Sequence, residues 1–289
     1  MQTTLYSALA WVLSMSACSS ATLAQEAPAA TNYAWLADME APLPSTVPLS
    51  ERFPAPAGFE RVEVPARSFS AWLRDLPVRT DRLEVLSYRG ERLARPSAAV
   101  LLVDVGSRDL MQCADSILRL HAEYLWSDGR SQEAAYRFTS GDETRWADWT
   151  RGERFVIRGN KVERKSGAPR PSHHESYRVW LDLVFTYAGT TSLARDTPSP
   201  PPASPVEAGD FYVDPGFPGH AVLVLDVVEK GTVRLGLIGQ GFMPAEEIHV
   251  VQSEQAVEGT WFPLPDASHP SLATPSWRPF LASARRRFP

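Results

Sequence analysis

"GHAVLVLDVVEKGTVRLGLIGQG", residues 219 to 241, decides the reading of this chain. Two apolar runs rich in Val and Leu flank Glu229-Lys230-Gly231. β-Branched residues on both sides of a short glycine-bearing break predict a β-hairpin. With those three residues as the loop, Val228 pairs with Thr232, and counting back sets His220 opposite Gln240. Directly opposed residues project from one face with Cβ atoms roughly 4.5 to 5.5 Å apart. The hairpin therefore brings an imidazole and a carboxamide together at a sheet end, just after "DPGFPG", where a side chain reaches a cleft.

Just upstream, "TPSPPPASP" (197 to 205) holds five prolines in nine residues, which excludes a helix and a central strand there. Before that break helices dominate. Leu110, Ala114, Ile117, Leu118, Ala122 and Leu125 recur at helical spacing, predicting a helix from Leu110 to Ser127 with Asp109 and Gln112 as a capping pair. A second helix is expected over 175 to 187, and Ser68 caps a short one through Leu76. "ERVEV" (60 to 64), "LEVLSY" and "AAVLLVDV" read as strands, the last buried on both faces, and "FVIRGNKVERK" as a hairpin turning at Gly159-Asn160. Helices first and strands later argue for an α+β protein rather than a doubly wound parallel sheet.

The chain begins with an apolar stretch from about Leu5 to Ala17, too short to span a bilayer and suited to a signal peptide over residues 1 to 24. Two processing routes stay open. Ser16-Ala17-Cys18 resembles a lipoprotein acceptor site, with the signal ending at 17 and Cys18 lipidated; Thr22-Leu23-Ala24 suits ordinary cleavage before Gln25. Either route carries the protein across the inner membrane, leaving it periplasmic or lipid-anchored in the cell envelope. Residues 25 to 51, rich in Pro and Ala, read as a linker, and 52 to 289 as a single α+β domain. A net charge of -5 supplies no basic field for a nucleic-acid backbone.

Cys113 is the one cysteine beyond the signal, so it has no intramolecular disulfide partner in the mature chain. Near a helix start, the dipole and unpaired amides favour its thiolate, the nucleophilic form; otherwise a free cysteine packs as a small hydrophobe. A nucleophile needs a base. His121 lies eight residues along the same helix, about 12 Å away at 1.5 Å per residue. His173 and His174 suit a surface loop, His269 sits in a loop, and His249 in "EEIHVV" fits a strand in either role. His220 remains as base, with Gln240 orienting its ring and Gln112 or the helix-start amides as oxyanion donors. No metal and no cofactor is expected. Trp146 and Trp149, at helical spacing, are candidates for a sugar-stacking platform.

"QCADSILRLHAEYLW", "YRFTSG", "VWLDLVFTYAGTTSL", "GDFYVDPGFPGHAVLVLDV" and "GQGFMPAEEIHVV" together resemble the secreted bacterial family called domain of unknown function 4846, from about Arg52 to Arg278. That resemblance implies no activity. The order of a cysteine opening a helix, "GD" with a strand, then "GH" leading an apolar strand is also similar to papain-like and NlpC-type cell-wall peptidases. This second resemblance implies Cys113 as nucleophile, His220 as base and Gln240 as orienter. It also implies a papain-like arrangement, with the Cys113 helix packed on an antiparallel sheet that carries His220. The expected function is a cysteine-dependent amide hydrolase acting on cell-wall peptide or another envelope amide. The alternative is a noncatalytic envelope-binding or interaction protein of the same fold.

Overall fold

The structure, a computed structural model, describes residues 33 to 289 apart from 160, 267, 268 and 276. The expected signal segment and Cys18 lie outside the described residues. An eight-stranded sheet is built around the hairpin from β1 (Glu60–Arg61), β2 (Ser97–Val100), β3 (Phe211–Asp214), β4 (His220–Lys230), β5 (Val233–Gln240), β6 (His249–Val251), β7 (Trp261–Pro263) and β8 (Arg285–Arg286). Its path runs β8-β3-β4-β5-β6-β2, with β1 also on β4 and β7 also on β5, and the pairs are antiparallel. Four helices position the side chains around this sheet: α1 (Phe69–Arg74), α2 (Cys113–Ser127), α3 (His174–Tyr187) and α4 (Thr190–Asp196). The chain is a mixed α+β protein with a mainly antiparallel sheet.

Strand alternation splits the core in two. Ala221 and Leu223 of β4 and Leu235 and Leu237 of β5 belong to one buried cluster with Ala114, Ile117 and Leu118 of α2. Val222, Val224 and Ile238 point the other way, onto Phe262, Leu272 and Phe280. Each fully buried Val, Leu, Ile or Phe among them contributes about 1.5–3 kcal/mol of transfer free energy. Two glycines make room at the end of β5. A Cβ at Gly239 would lie 2.7 Å from Leu225 Cδ1 of β4, and one at Gly241 would lie 2.3 Å from Ser116 Oγ of α2.

The hairpin exists, but its register differs from the count. The strands continue to Lys230 and Val233, leaving a two-residue loop in which Gly231 takes a φ of 60°. A bulge between Val224 and Asp226 then shifts the ladder by one, so that Leu223 pairs with Gly239. Extending that count brings His220 level with Phe242, and Gln240 becomes its diagonal neighbour. The shorter loop moved the register by an odd number of residues and the bulge restored its parity, so both side chains still share a face.

Other expectations need correction. α2 starts at Cys113, with Gln112 as N-cap, because the Asp109 carboxylate instead accepts from Ala245 N (2.7 Å) and from the Gln112 amide (3.1 Å). The Pro/Ala-rich segment is no linker from Tyr33 onward: Trp35 and Leu49 are buried, and Trp35 Nε1 donates to Leu102 O at 2.7 Å. His173 caps α3, accepting from Ser176 N at 3.1 Å, and His174 opens that helix rather than occupying a surface loop. Trp146 and Trp149 are buried, their rings 5.4 Å apart, and present no face to a sugar. The ribbon that pairs Arg158 with Lys161, the cap at Ser68 and the strand-free, helix-free stretch 197 to 205 agree with the sequence reading; the expected turn residue Asn160 lies outside the described residues.

Candidate functional site

Cys113 is the first residue of α2, and its thiol is 3.9 Å from Gly219 O. The backbone N–H groups of Ala221, Ala114 and Cys113 itself favour a charge on the sulfur. In an extended strand the carbonyl before a residue and the N–H after it point to the same edge. The sulfur therefore lies along the edge of β4, against the two peptides that flank His220, beyond the point where the β4–β5 pairing ends. Burial outweighs the amides and, with the nearby Asp115, pushes the thiol up to about 11. Asp115 itself is fully buried, accepts from Gln112 N at 3.2 Å, and is pushed well above the carboxylate range by that burial.

The His220 side chain alternates onto the face carrying Val222, with ring centroids 4.7 Å from Phe242, 5.2 Å from Trp277 and 5.9 Å from Phe280. Its Nε2 is 3.0 Å from Gln240 Oε1, while its buried Nδ1 has no hydrogen-bond partner among the described residues. Burial lowers its pKa to about 4 despite the Gln240 contact, so the ring is neutral at pH 7. Beyond Gln240 the polar chain continues. Gln240 Nε2 is 3.2 Å from His249 Nε2, and His249 Nδ1 is 3.3 Å from Glu247 O and 3.6 Å from Glu246 Oε1. Arg95 Nε donates to Glu246 Oε2 at 2.7 Å. Burial pushes the Glu246 carboxyl up to about 7 against that pairing, and lowers His249 to about 4.

The family model for domain of unknown function 4846 matches residues 49 to 287. The chain belongs to that family. No curated protein and no solved structure matches the chain. In this family member the matched segment contains Cys113, His220, Gln240 and His249.

Of the residues singled out in the sequence, His220 and Gln240 are in direct contact, and Cys113 meets the backbone flanking His220 with no thiol–imidazole hydrogen bond among the described residues. Gln112 stands at the same helix mouth with its amide nitrogen on Asp109. His121 is core: its ring stacks on Phe288 at 3.8 Å and its Nδ1 meets Tyr136 Oη at 3.0 Å. His174 bridges Glu123 and Asp38, and His269 is exposed. Sequence reasoning left His249 unassigned and missed Glu246 and Arg95. The missing signal was a second hairpin: β5 turns back through "GFMPAEEI" into β6, and Gln240 pairs with His249 directly. Among the described residues no group of three or more His, Cys, Asp or Glu could hold a metal ion, and no helix is long and apolar enough to cross a membrane.

Proposed function

We propose that this protein is a cysteine-dependent amide hydrolase with a papain-like division of labour, in which Cys113 attacks, His220 moves the proton and Gln240 orients the ring. One observation carries the reading. Among the described residues the His220 imidazole is held through Nε2 alone and its Nδ1 has no hydrogen-bond partner, while the Cys113 sulfur packs 3.9 Å from the carbonyl of the preceding residue, Gly219. A neutral imidazole anchored at one nitrogen keeps a lone pair at the other, which is what a general base requires.

In the first step His220 Nδ1 takes the proton from the thiol while Sγ bonds to the amide carbon. The same proton then passes to the leaving nitrogen as the C–N bond breaks, giving a thioester on Cys113. Water, deprotonated by His220, releases the acid and the thiol is restored. The first-turn amides of α2 supply donors for the oxyanion, and the second N–H of the Gln112 amide is the side-chain donor at the same helix mouth. A thiol raised to about 11 and an imidazole lowered to about 4 rest as a neutral pair, so proton transfer accompanies attack. Export, by either processing route, places the substrate among the peptide amides of the cell envelope.

The noncatalytic alternative draws on the same thiol. Cys113 is only 5% exposed, and burial disfavours its nucleophilic form. Incubating the full chain with p-nitrophenyl acetate separates the two. The hydrolase reading expects an acetyl thioester on Cys113, absent in Cys113→Ser and formed at least about 100-fold more slowly in His220→Gln, the range of a lost general base. Equal acetylation of wild type and His220→Gln would leave the noncatalytic reading.

A further inference from the structure

We propose that His249 is a positioning residue for His220, acting through the Gln240 carboxamide, and that the Glu247 backbone carbonyl sets the polarity of the whole chain. The inference rests on the hydrolase reading for its functional meaning, but its geometry stands on its own.

The order of donors and acceptors can be followed from one fixed end. Glu247 O only accepts, so the His249 Nδ1 that lies 3.3 Å from it carries the hydrogen. Glu246 Oε1, 3.6 Å from the same nitrogen, is also an acceptor when ionised, and Arg95 on its other oxygen keeps that carboxylate in place. His249 is fully buried and neutral, so its Nε2 has a lone pair and no hydrogen. Gln240 must then present its NH2 to His249, at 3.2 Å, and turn its oxygen toward His220, at 3.0 Å. An amide oxygen accepts only, so His220 carries its hydrogen on Nε2 and its lone pair on Nδ1. A distant backbone carbonyl thus selects the tautomer in which the nitrogen without a partner is a base.

The opposite polarity is chemically self-consistent too, which is why the end group matters. If His249 Nε2 carried the hydrogen, Gln240 would turn over, His220 Nε2 would become an acceptor and Nδ1 would hold a proton. A histidine in that state cannot accept from a thiol. Within this relay only His220 exchanges a proton with the reacting atoms, so His249 contributes orientation and tautomer, not chemistry.

The test is a long-range proton–nitrogen NMR spectrum of 15N-imidazole-labelled full chain, which reads each histidine's tautomer without any substrate. In wild type, His220 is expected with Nε2 protonated and Nδ1 bare. His249→Gln, whose amide oxygen can accept from Gln240, should keep that pattern and keep acetylation of Cys113 within about threefold. His249→Phe removes the acceptor, and should give a mixed His220 tautomer with acetylation reduced at least tenfold. A protonated Nδ1 in wild type, or an unchanged His220 pattern in His249→Phe, overturns the proposal. Wild type with the expected tautomer but no acetylation sinks the hydrolase reading alone. Should His249→Phe fail to fold, the wild-type spectrum and His249→Gln still decide.

Discussion

Two histidines inside this molecule sit in buried polar networks and have opposite chemical prospects. On the α2 side, His174 points Nδ1 at Asp38 (2.7 Å) and Nε2 at Glu123 (2.9 Å), and Glu123 also pairs with the fully buried Arg119 at 2.6 Å. Both ring nitrogens face acceptors, so both carry hydrogen. Burial works against the charge, but Glu123 and Asp38 override it and the pKa rises. On the other face of the sheet, His220 commits one nitrogen to a neutral amide, and burial depresses its pKa. A histidine with both nitrogens committed to carboxylates is a strut; one with a single nitrogen committed keeps a lone pair to use. Burial alone does not separate structural from reactive histidines, because the partners decide.

The comparison can be broken most forcefully at the strut. Glu123→Leu leaves Arg119 buried with only Asp104 for company and should cost about 3–5 kcal/mol, read from denaturant midpoints. A loss below about 1 kcal/mol would mean the network is not structural. Next in size is the pH response, which has opposite signs on the two sides. His249 and His220 have folded values near 4 against 6.5 unfolded, so the unfolded chain takes up protons first and stability falls as pH drops from 6.5 to 4. Relative to wild type, His249→Gln should regain about 3 kcal/mol over that window. His174, raised instead, contributes its stability in full below 6.5 and loses it as pH rises through its elevated folded value, so His174→Gln should narrow its gap to wild type in alkali.

Smaller changes sharpen the picture. Gly219→Ala places a Cβ 2.3 Å from Thr190 Oγ1 and within 2.8 Å of the Gly216 and Asp214 carbonyls, an overpacking worth about 1–3 kcal/mol by chemical denaturation. Because the Cys113 sulfur rests on the Gly219 carbonyl, the same variant should slow acetylation. Ser68→Ala, which removes the α1 cap far from both networks, should cost about 1 kcal/mol and leave every histidine titration where it was.

Much of this was legible in the residues, and the failures have physical reasons. The hairpin, the helix carrying Cys113 and the contact between His220 and Gln240 follow from periodicity. The detailed register does not, because periodicity carries no information about a bulge at Val224–Asp226 or about a loop one residue shorter. Face is more robust than register: the odd displacement and the one-residue bulge left an even net shift, so the predicted pair kept its face and survived as diagonal neighbours. The cap at Gln112 was missed because Asp109 finds its acceptor duty in Ala245, more than a hundred residues away. Trp35 and Leu49 were hidden in a Pro/Ala-rich stretch whose composition resembles a tether, although their long-range packing makes it part of the core. His249 needed two hairpins to be read in succession, since only the second sets it against Gln240.

The central claim, that His220 serves the Cys113 thiol as a base, is tested most directly by the pH profile of Cys113 alkylation with iodoacetamide. A buried thiol near 11 acting alone reacts tenfold faster for each pH unit from about 5 to about 10. With His220 taking the proton, the wild-type rate should rise through about pH 4 and then hold a plateau to about pH 9, and His220→Gln should convert that plateau into the steady climb. A wild-type profile that climbs log-linearly toward pH 11 and is superimposable on that of His220→Gln would contradict the account.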